Sequence, residues 1–270
     1  MVRAQGISSL QTRNGIGFYQ AQSLKATGRV IHAFSTRRGG VSPPPFDSLN
    51  LSISTGDDAV NVEKNREILT GAFGLQPSAL VTVNQMHGDD ILVIDSSLPE
   101  DVSMTACDAI ITDRPGIAIG VLTADCVPTL VFDPDHLVIA TIHSGWKGIA
   151  IDLPRKSIRT MIDRFRTQPE SLIAAVGPSI GPCCYEVDDR VRAALSGRQG
   201  DWPRWTSEVS SNRWMLNICQ AIVDLLRESG IRPENIGRVD ICTRCQEDLF
   251  YSHRRDRGVT GRQGSFIMLE

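Results

Sequence analysis

Few features of the 270-residue sequence are extreme, and what it lacks narrows its function first. It has no excess of one charge. With 28 basic against 31 acidic side chains, the net charge of −3 gives no global field that would draw nucleic acid or an anionic membrane surface. Long apolar runs are missing too. No stretch nears the ~18 residues of a membrane span, and the first thirty residues lack the apolar core and small-residue cleavage site of a signal peptide. The expectation is a cytoplasmic protein with no membrane partner. Cysteine is odd in number, at seven; with the adjacent pair Cys183 and Cys184 and the length of the chain, this argues against a disulfide scaffold. Most cysteines are therefore expected as buried thiols. There is no internal repeat, low-complexity tract or long linker, so one domain over residues 1–270 is expected, and 41% hydrophobic content is enough for a substantial core.

What is present reads as mixed α and β. "RVIHAFSTRRGG" ends a short apolar run at the edge of the fold, and "VSPPPFDSLNLS" is loop because three consecutive prolines exclude helix and central strand. "DDAVNVEKNREILTGAFGL" has helical spacing up to Gly74. Between residues 80 and 145 the pattern changes to short runs rich in Val, Ile and Thr, among them "DILVID", "DAIITD", "GIAIGVLTA" and "LVIATIHS", separated by Gly, Pro and Asp. Helical spacing returns in "GIAIDLPRKSIRTMIDRF", where Pro154 suits a first turn, and in "WMLNICQAIVDLLRESG", which stops at Gly230. "RVDICT" reads as a last strand before an arginine-rich tail. Strands gathered mid-chain with helices around them predict layers about a mixed sheet.

Of the five histidines, His32 lies among apolar residues, His136 in a "DPDH" turn and His253 inside an arginine cluster. His87 and His143 differ from these, since each follows a strand-like run, in "VTVNQMHG" and "IATIHSG", and each stands at a strand end where side chains meet a cleft. Between them "VLTADCVPTLVFD" breaks a strand at Cys126. Two imidazoles and one thiolate are zinc ligands, and three protein ligands leave a fourth position open, the mark of a catalytic site. The separations match no short metal-binding signature, so other readings stay open. The three side chains would each be satisfied within a core, or Cys126 would be a nucleophile with His87 or His143 as its base and Asp125 as an orienter.

Anion-binding candidates lie nearer the C-terminus. Arg254, Arg255, Arg257 and Arg262 fall within nine positions, interleaved with glycines and flanked by Phe250, Tyr251 and Phe266; guanidinium forks of this kind suit phosphate or carboxylate. Arg37, in "STRRGG", and Lys147, in "SGWKG", are weaker candidates. "AAVGPSIGPCCYEV" presents two Gly-Pro steps that either admit a ligand or simply shape a turn. Cys242 and Cys245 form a C-x-x-C with no second such pair to complete a four-ligand site, and are expected in the core.

Taken together, "NQMHGDDI", "CDAIITDRPGIAIGVLTADCVPTLVFDP", "IATIHSGWKGIA", "AAVGPSIGPCCYEV" and "CTRCQEDLFYSHRRD" with "TGRQGSFI" resemble a bacterial family of laccase-domain proteins. Once labelled multicopper polyphenol oxidases, its members are now named purine nucleoside phosphorylases or peptidoglycan editing factors. The resemblance runs from about "HAFSTRRGG" to the C-terminus in the family's order. It implies an α/β/β/α sandwich and places the family's zinc ligands, which are also its catalytic centre, on His87, Cys126 and His143. It further implies phosphorolysis of adenosine, inosine and methylthioadenosine, deamination of adenosine, and a role in removing wrongly built peptidoglycan precursors. Purine nucleosides and phosphate are thus the expected partners of a monomer or homodimer, zinc the expected ion and copper the less favoured one. A cysteine-dependent amide hydrolase acting on cell-wall precursors is the alternative enzyme, and a non-enzymatic nucleoside-binding module the third possibility. Laccase chemistry is rejected, because five histidines are too few for a multicopper centre.

Overall fold

The computed structural model describes residues 9–95, 98, 101–198 and 200–270. Its strands, in chain order, are β1 (Gln11–Arg13), β2 (Ile16–Tyr19), β3 (Val30–Ser35), β4 (Leu80–Val81), β5 (Ile91–Ile94), β6 (Ala109–Thr112), β7 (Ala118–Thr123) and β8 (Val127–Asp133). They continue with β9 (Val138–Ser144), β10 (Ile173–Val176), β11 (Glu186–Asp188), β12 (Thr206–Ser210), β13 (Arg213–Leu216), β14 (Ile236–Arg238) and β15 (Gln263–Leu269). The helices are α1 (Gln22–Lys25), α2 (Ala59–Ala72), α3 (Trp146–Ala150), α4 (Leu153–Phe165), α5 (Asp189–Ala194), α6 (Trp202–Trp205) and α7 (Ile218–Glu228).

Two six-stranded sheets carry the fold, in the orders β1-β2-β3-β15-β7-β4 and β14-β10-β8-β9-β6-β5, beside a small sheet β11-β13-β12. Both large sheets are mixed: β4 runs parallel to β7, β5 to β6 and β10 to β14, while the other pairings are antiparallel. Side-chain alternation sorts the layers. In β9, Val138, Ala140 and Ile142 join a core with Ile158 and Met161 of α4 and Ile222, Leu225 and Leu226 of α7, whereas Ile139 points the other way. On that other face Ile110, Leu130, Phe132 and Ile139 meet Phe34, Val81, Ile119 and Ile267 of the first sheet. The first sheet's far face, through Ala33, Phe266 and Met268, is covered by Leu69, Ala72 and Phe73 of α2 and its C-cap. The order of layers is therefore α/β/β/α, as the resemblance implied. Each large apolar side chain buried between the sheets, such as Phe34 or Phe132, contributes about 1.5–3 kcal/mol.

The helices begin and end where local chemistry directs. The Asp58 carboxylate accepts from Val60 N–H at the start of α2, the Asn217 side chain accepts from Gln220 N–H at the start of α7, and Gly74 and Gly230 follow the two helices with φ of 73° and 97°. Pro154 occupies the first turn of α4 as expected. The helix expected to run on from "GIAID" instead breaks after Ala150, with Asp152 at φ 64°, and leaves α3 a short turn of its own.

Three expectations are corrected. The last strand is not "RVDICT", of which only Arg238 is in β14; it is β15, inside the arginine-rich segment and central in the first sheet. "WML" of the expected α7 lies in β13, because Asn217 caps the helix one residue before Ile218. Cysteine is not mainly a core residue here: Cys107 and Cys219 are buried, but Cys126, Cys184 and Cys242 are half-buried and Cys183 and Cys245 exposed. Among the described residues no helix is long and apolar enough to cross a membrane.

Candidate metal centre

His143 arrives at the end of β9 on the face that looks toward the first sheet, 4% exposed. Its neighbour is set by register. Ala109 pairs with Ile142, so Asp108, one residue before β6, lies beside His143, and His143 N–H donates to the Asp108 carbonyl at 2.8 Å. The side chains repeat the contact, with Nδ1 of His143 2.7 Å from the fully buried Asp108 Oδ1. Nδ1–H donates to the carboxylate, which leaves the Nε2 lone pair free for a metal.

Cys126 stands immediately before β8, whose Val127 pairs with Ser144 and Pro128 with His143, so the thiol and the imidazole share a sheet end. The strand break read from "TADC" is a tight reversal, with Asp125 at φ 88°. His87 comes from the loop after β4. Gln85 clamps that loop to the end of β7, its Nε2 donating to Leu122 O at 2.8 Å and its Oε1 accepting from Leu122 N at 2.7 Å. His87 itself has φ 58°, a conformation held because Met86 N–H and Gly88 N–H both donate to Asp108 Oδ2, at 3.0 and 2.8 Å. One buried carboxylate thus fixes two of the three side chains.

The result is convergence. The ligand atoms of His87, Cys126 and His143 all lie within 4.8 Å of one another, Cys126 Sγ is 3.8 Å from His87 Nε2, and the two imidazoles meet edge to face at 4.8 Å between centroids. Zinc bonded tetrahedrally to sulfur and nitrogen separates them by about 3.5 Å, so the donor set fits the ion with little movement. The electrostatics favour a ligand as well. Burial pushes the Cys126 thiol up, but His143 and His87 outweigh it and bring it down to about 6. Burial pushes His143 down, yet the Cys126 and Asp108 charges raise it to about 9. Burial likewise raises Asp108, but bonds from His143 and the backbone of the 87–88 turn hold its carboxyl below the usual range. The directions at Cys126 and His143 both favour a thiolate at Cys126, the form that ligates a cation.

The arginines divide into two groups. Arg255 spends Nε and both terminal nitrogens on Asp256, Thr243 O and Phe250 O, and Arg37 spends its own on Asp47 and Glu247 O. Both line a cavity of about 690 Å³ with Arg38, where Asp47, Glu247, Asp248 and Asp256 offset the cations; none of His87, Cys126 and His143 lines it. Among the described residues the Arg262 guanidinium donates through Nη1, to Thr260 O and Gly261 O, and it lies close enough to Cys126 and Asp125 to feel both charges, although burial holds it below the usual value. Arg254 sits over the Tyr185 ring at 5.1 Å and donates Nη1 to Glu186 O. Tyr185 is a neighbour of the centre too: burial, then the Cys126 charge, push its phenol above the usual range. Lys147 is exposed in α3, its ammonium 5.9 Å from the Trp146 ring. Asp125 does not orient an imidazole. Its oxygens accept from Thr243 Oγ1 and Arg254 N, each at 2.7 Å.

Fold and site together define an α/β/β/α protein with a His-Cys-His cluster, able to hold a metal ion, at a sheet end. A profile of the family described as multi-copper polyphenol oxidoreductase laccase matches residues 31–270, and the chain belongs to that family. It is 31% identical over 253 residues to the purine nucleoside phosphorylase YlmD of Bacillus subtilis, with 92% of this chain and 91% of that protein covered. To the purine nucleoside phosphorylase YfiH of Escherichia coli it is 35% identical over 240 residues, covering 89% and 94%. The crystal structure of YlmD from Geobacillus stearothermophilus superposes with a TM-score of 0.88 at 32% identity, covering 97% of this chain and 98% of that one.

Proposed function

We propose that His87, Cys126 and His143 hold a zinc ion and that the chain is a purine nucleoside phosphorylase of the cytoplasm, a single domain acting on adenosine, inosine and methylthioadenosine, with adenosine deamination as a second activity. The observation that carries this reading is the meeting of one thiolate and two imidazoles within 4.8 Å at a half-open sheet end. Supporting it are relatives at 31–35% identity that are named for phosphorolysis. Seven free cysteines suit a reducing compartment. When bound, zinc supplies a Lewis acid with one open coordination position.

The chain's own residues do the rest. Asp108 holds His143 in one tautomer and His87 in one backbone conformation, so no reorganisation accompanies the reaction. Phosphorolysis forms a bond from a phosphate oxygen to the anomeric carbon as the bond from that carbon to the purine nitrogen breaks. Phosphate must therefore be held against the ribose. Arg254 and Arg262, the arginines that neighbour Asp125 and Cys126, have donors to offer it: no acceptor among the described residues meets Nε or Nη2 of either. Arg37 and Arg255 brace the loops instead.

The test is chromatographic. Purified protein is incubated with each nucleoside, with and without phosphate, before and after chelation and zinc return, beside Cys126→Ala. Free base released only with phosphate, lost on chelation, restored by zinc and absent from Cys126→Ala is the expected result. Turnover that survives chelation but not alkylation of Cys126 would instead establish the cysteine hydrolase. Tight nucleoside binding without turnover would establish the binding module.

A further inference from the structure

A second cluster of metal-binding side chains stands apart from the first. Cys183, Cys184, Cys242 and Cys245 bring their four sulfur atoms within 4.8 Å of one another, with Cys245 Sγ 3.6 Å from Cys183 Sγ and 3.3 Å from Cys184 Sγ. The C-x-x-C read as lacking a partner has one: the adjacent pair some sixty residues earlier. We infer that these four cysteines form a second zinc site, a closed tetrathiolate that staples two loops beside the His-Cys-His centre.

Geometry supports this. Four thiolates at the zinc–sulfur distance define a tetrahedron with edges of about 3.8 Å, close to the separations seen. Two disulfides would draw the sulfurs into separate pairs, whereas here all four converge on one another and all are free.

The loops are shaped for the sulfurs. Ser179 and Cys242 form a parallel bridge, with Thr243 N donating to Ser179 O at 3.0 Å. Cys184 N and Tyr185 N both donate to Gly181 O at 3.0 Å, a turn that carries the adjacent pair across. Gly181 N donates to Cys242 Sγ at 3.2 Å, the backbone-to-sulfur bond by which metal thiolates are oriented. A Cβ on Gly181 would lie 3.1 Å from Cys242 Cβ and 3.3 Å from Cys183 Sγ, so the close approach favours glycine. Charge is partly offset as well. Zinc with four thiolates carries about −2, and Arg244, inside the C-x-x-C, places Nη1 3.4 Å from Cys184 Sγ. Binding releases the thiol protons to solvent and changes no oxidation state.

Thr243 lies between the two ligands of the C-x-x-C, and its hydroxyl donates to Asp125 at 2.7 Å; Ile180 N donates to Asp125 O at 2.9 Å from the other loop. Both stapled loops therefore brace the residue next to Cys126. The site needs no substrate, so its test does not depend on the proposed reaction.

Zinc is counted per chain in wild type, His143→Ala, Cys242→Ser and Cys245→Ser, each purified under reducing conditions. We expect either cysteine variant to lose one zinc and His143→Ala to keep that one. In wild type, iodoacetamide should label Cys183, Cys184, Cys242 and Cys245 only after chelation, as read by peptide mass spectrometry. That measurement stands even where a variant fails to fold. Unchanged zinc in both cysteine variants, labelling of the four that is indifferent to chelator, or disulfide-linked peptides from unreduced wild type would each overturn the inference.

Discussion

Asp108→Asn is the substitution that most directly probes the centre. The side chain keeps its shape, yet all three of its partners are donors: His143 Nδ1 on one oxygen, Met86 N–H and Gly88 N–H on the other. An amide has one accepting atom. If that oxygen keeps the two backbone N–H groups, the amide NH2 faces Nδ1 of His143, and the imidazole must move its proton to Nε2, where the metal would bind. If the amide turns round, the His87 loop loses both its bonds. Either way one ligand is compromised. Loss of such an outer partner weakens metal affinity about 10–100-fold, equivalent to about 1.4–2.7 kcal/mol. The assay is competition for zinc between protein and a chromogenic chelator, with circular dichroism to show that the variant is folded. A folded Asp108→Asn that holds zinc within about twofold of wild type would refute the argument that this carboxylate sets the tautomer.

Gly145→Ala tests the packing around the thiol: the added Cβ would lie 3.0 Å from Cys126 Sγ and 3.6 Å from His87 Cδ2. Relief of a few tenths of an ångström exceeds the ~0.2 Å tolerance of metal–ligand distances, so zinc affinity should fall about tenfold while the melting temperature barely moves. Gly177→Ala tests the sheet interface, since its Cβ would lie 2.4 Å from the Phe34 ring and 2.8 Å from Pro128 Cγ; calorimetry should show a loss of about 1–3 kcal/mol. For pH, His32 is the informative group. It is fully buried, with Nε2 accepting from Ala21 N–H, and burial lowers it from 6.5 to about 4. A base depressed in the folded state contributes full stability above its unfolded value and loses it as pH falls through 6.5 toward 4. Urea unfolding should therefore show about 2 kcal/mol lost by pH 5 and about 3 below pH 4, an excess absent from His32→Gln.

What sequence made legible was whatever chemistry acts locally. The long helices could be read because apolar spacing and Gly74 or Gly230 after the end act within a few residues, whereas the Asn217 cap that starts α7 only after "WML" went unread. Strands β5 to β9 could be read for the same reason. Cys126 and His143 were visible because each sits where an apolar run breaks. Asp108 was not, although "CDAIITD" put an acid directly before a strand. Its role depends on the register of β6 against β9, which no periodicity carries. The arginine-rich neighbourhood hid β15, whose "QGSFIML" is buried throughout and so lacks the alternation of a half-exposed strand. The four cysteines have no local signal, since they meet where loops about sixty residues apart are brought together. Arg255, by contrast, is spent on partners within twelve residues of itself, but which carbonyls and carboxylates it reaches depends on how that segment folds back.

The family's copper description can be weighed against this geometry. A thiolate with two imidazoles is a ligand set that copper also accepts, and copper(II) outcompetes zinc at most nitrogen and sulfur sites, so copper uptake by purified protein would be unsurprising. Oxidase chemistry needs more than uptake. Of the other histidines, His32 is buried in the first sheet against Ala21, His136 is tied to Asp133 at 3.0 Å, and His253 is an exposed neighbour of the Arg254–Arg255 segment. None joins His87 and His143, so no further copper ions have imidazoles to gather around. Nor is the centre matched to an electron-transfer site: Met86, the neighbouring thioether, is 61% exposed, and Tyr185 and Arg262 lie close enough to Cys126 to feel its charge. On the proposed reading, three ligands beside the guanidinium of Arg262 suit an anionic or polar substrate. That argument holds for either ion, which places the choice of substrate with the residues around the proposed metal more than with its identity.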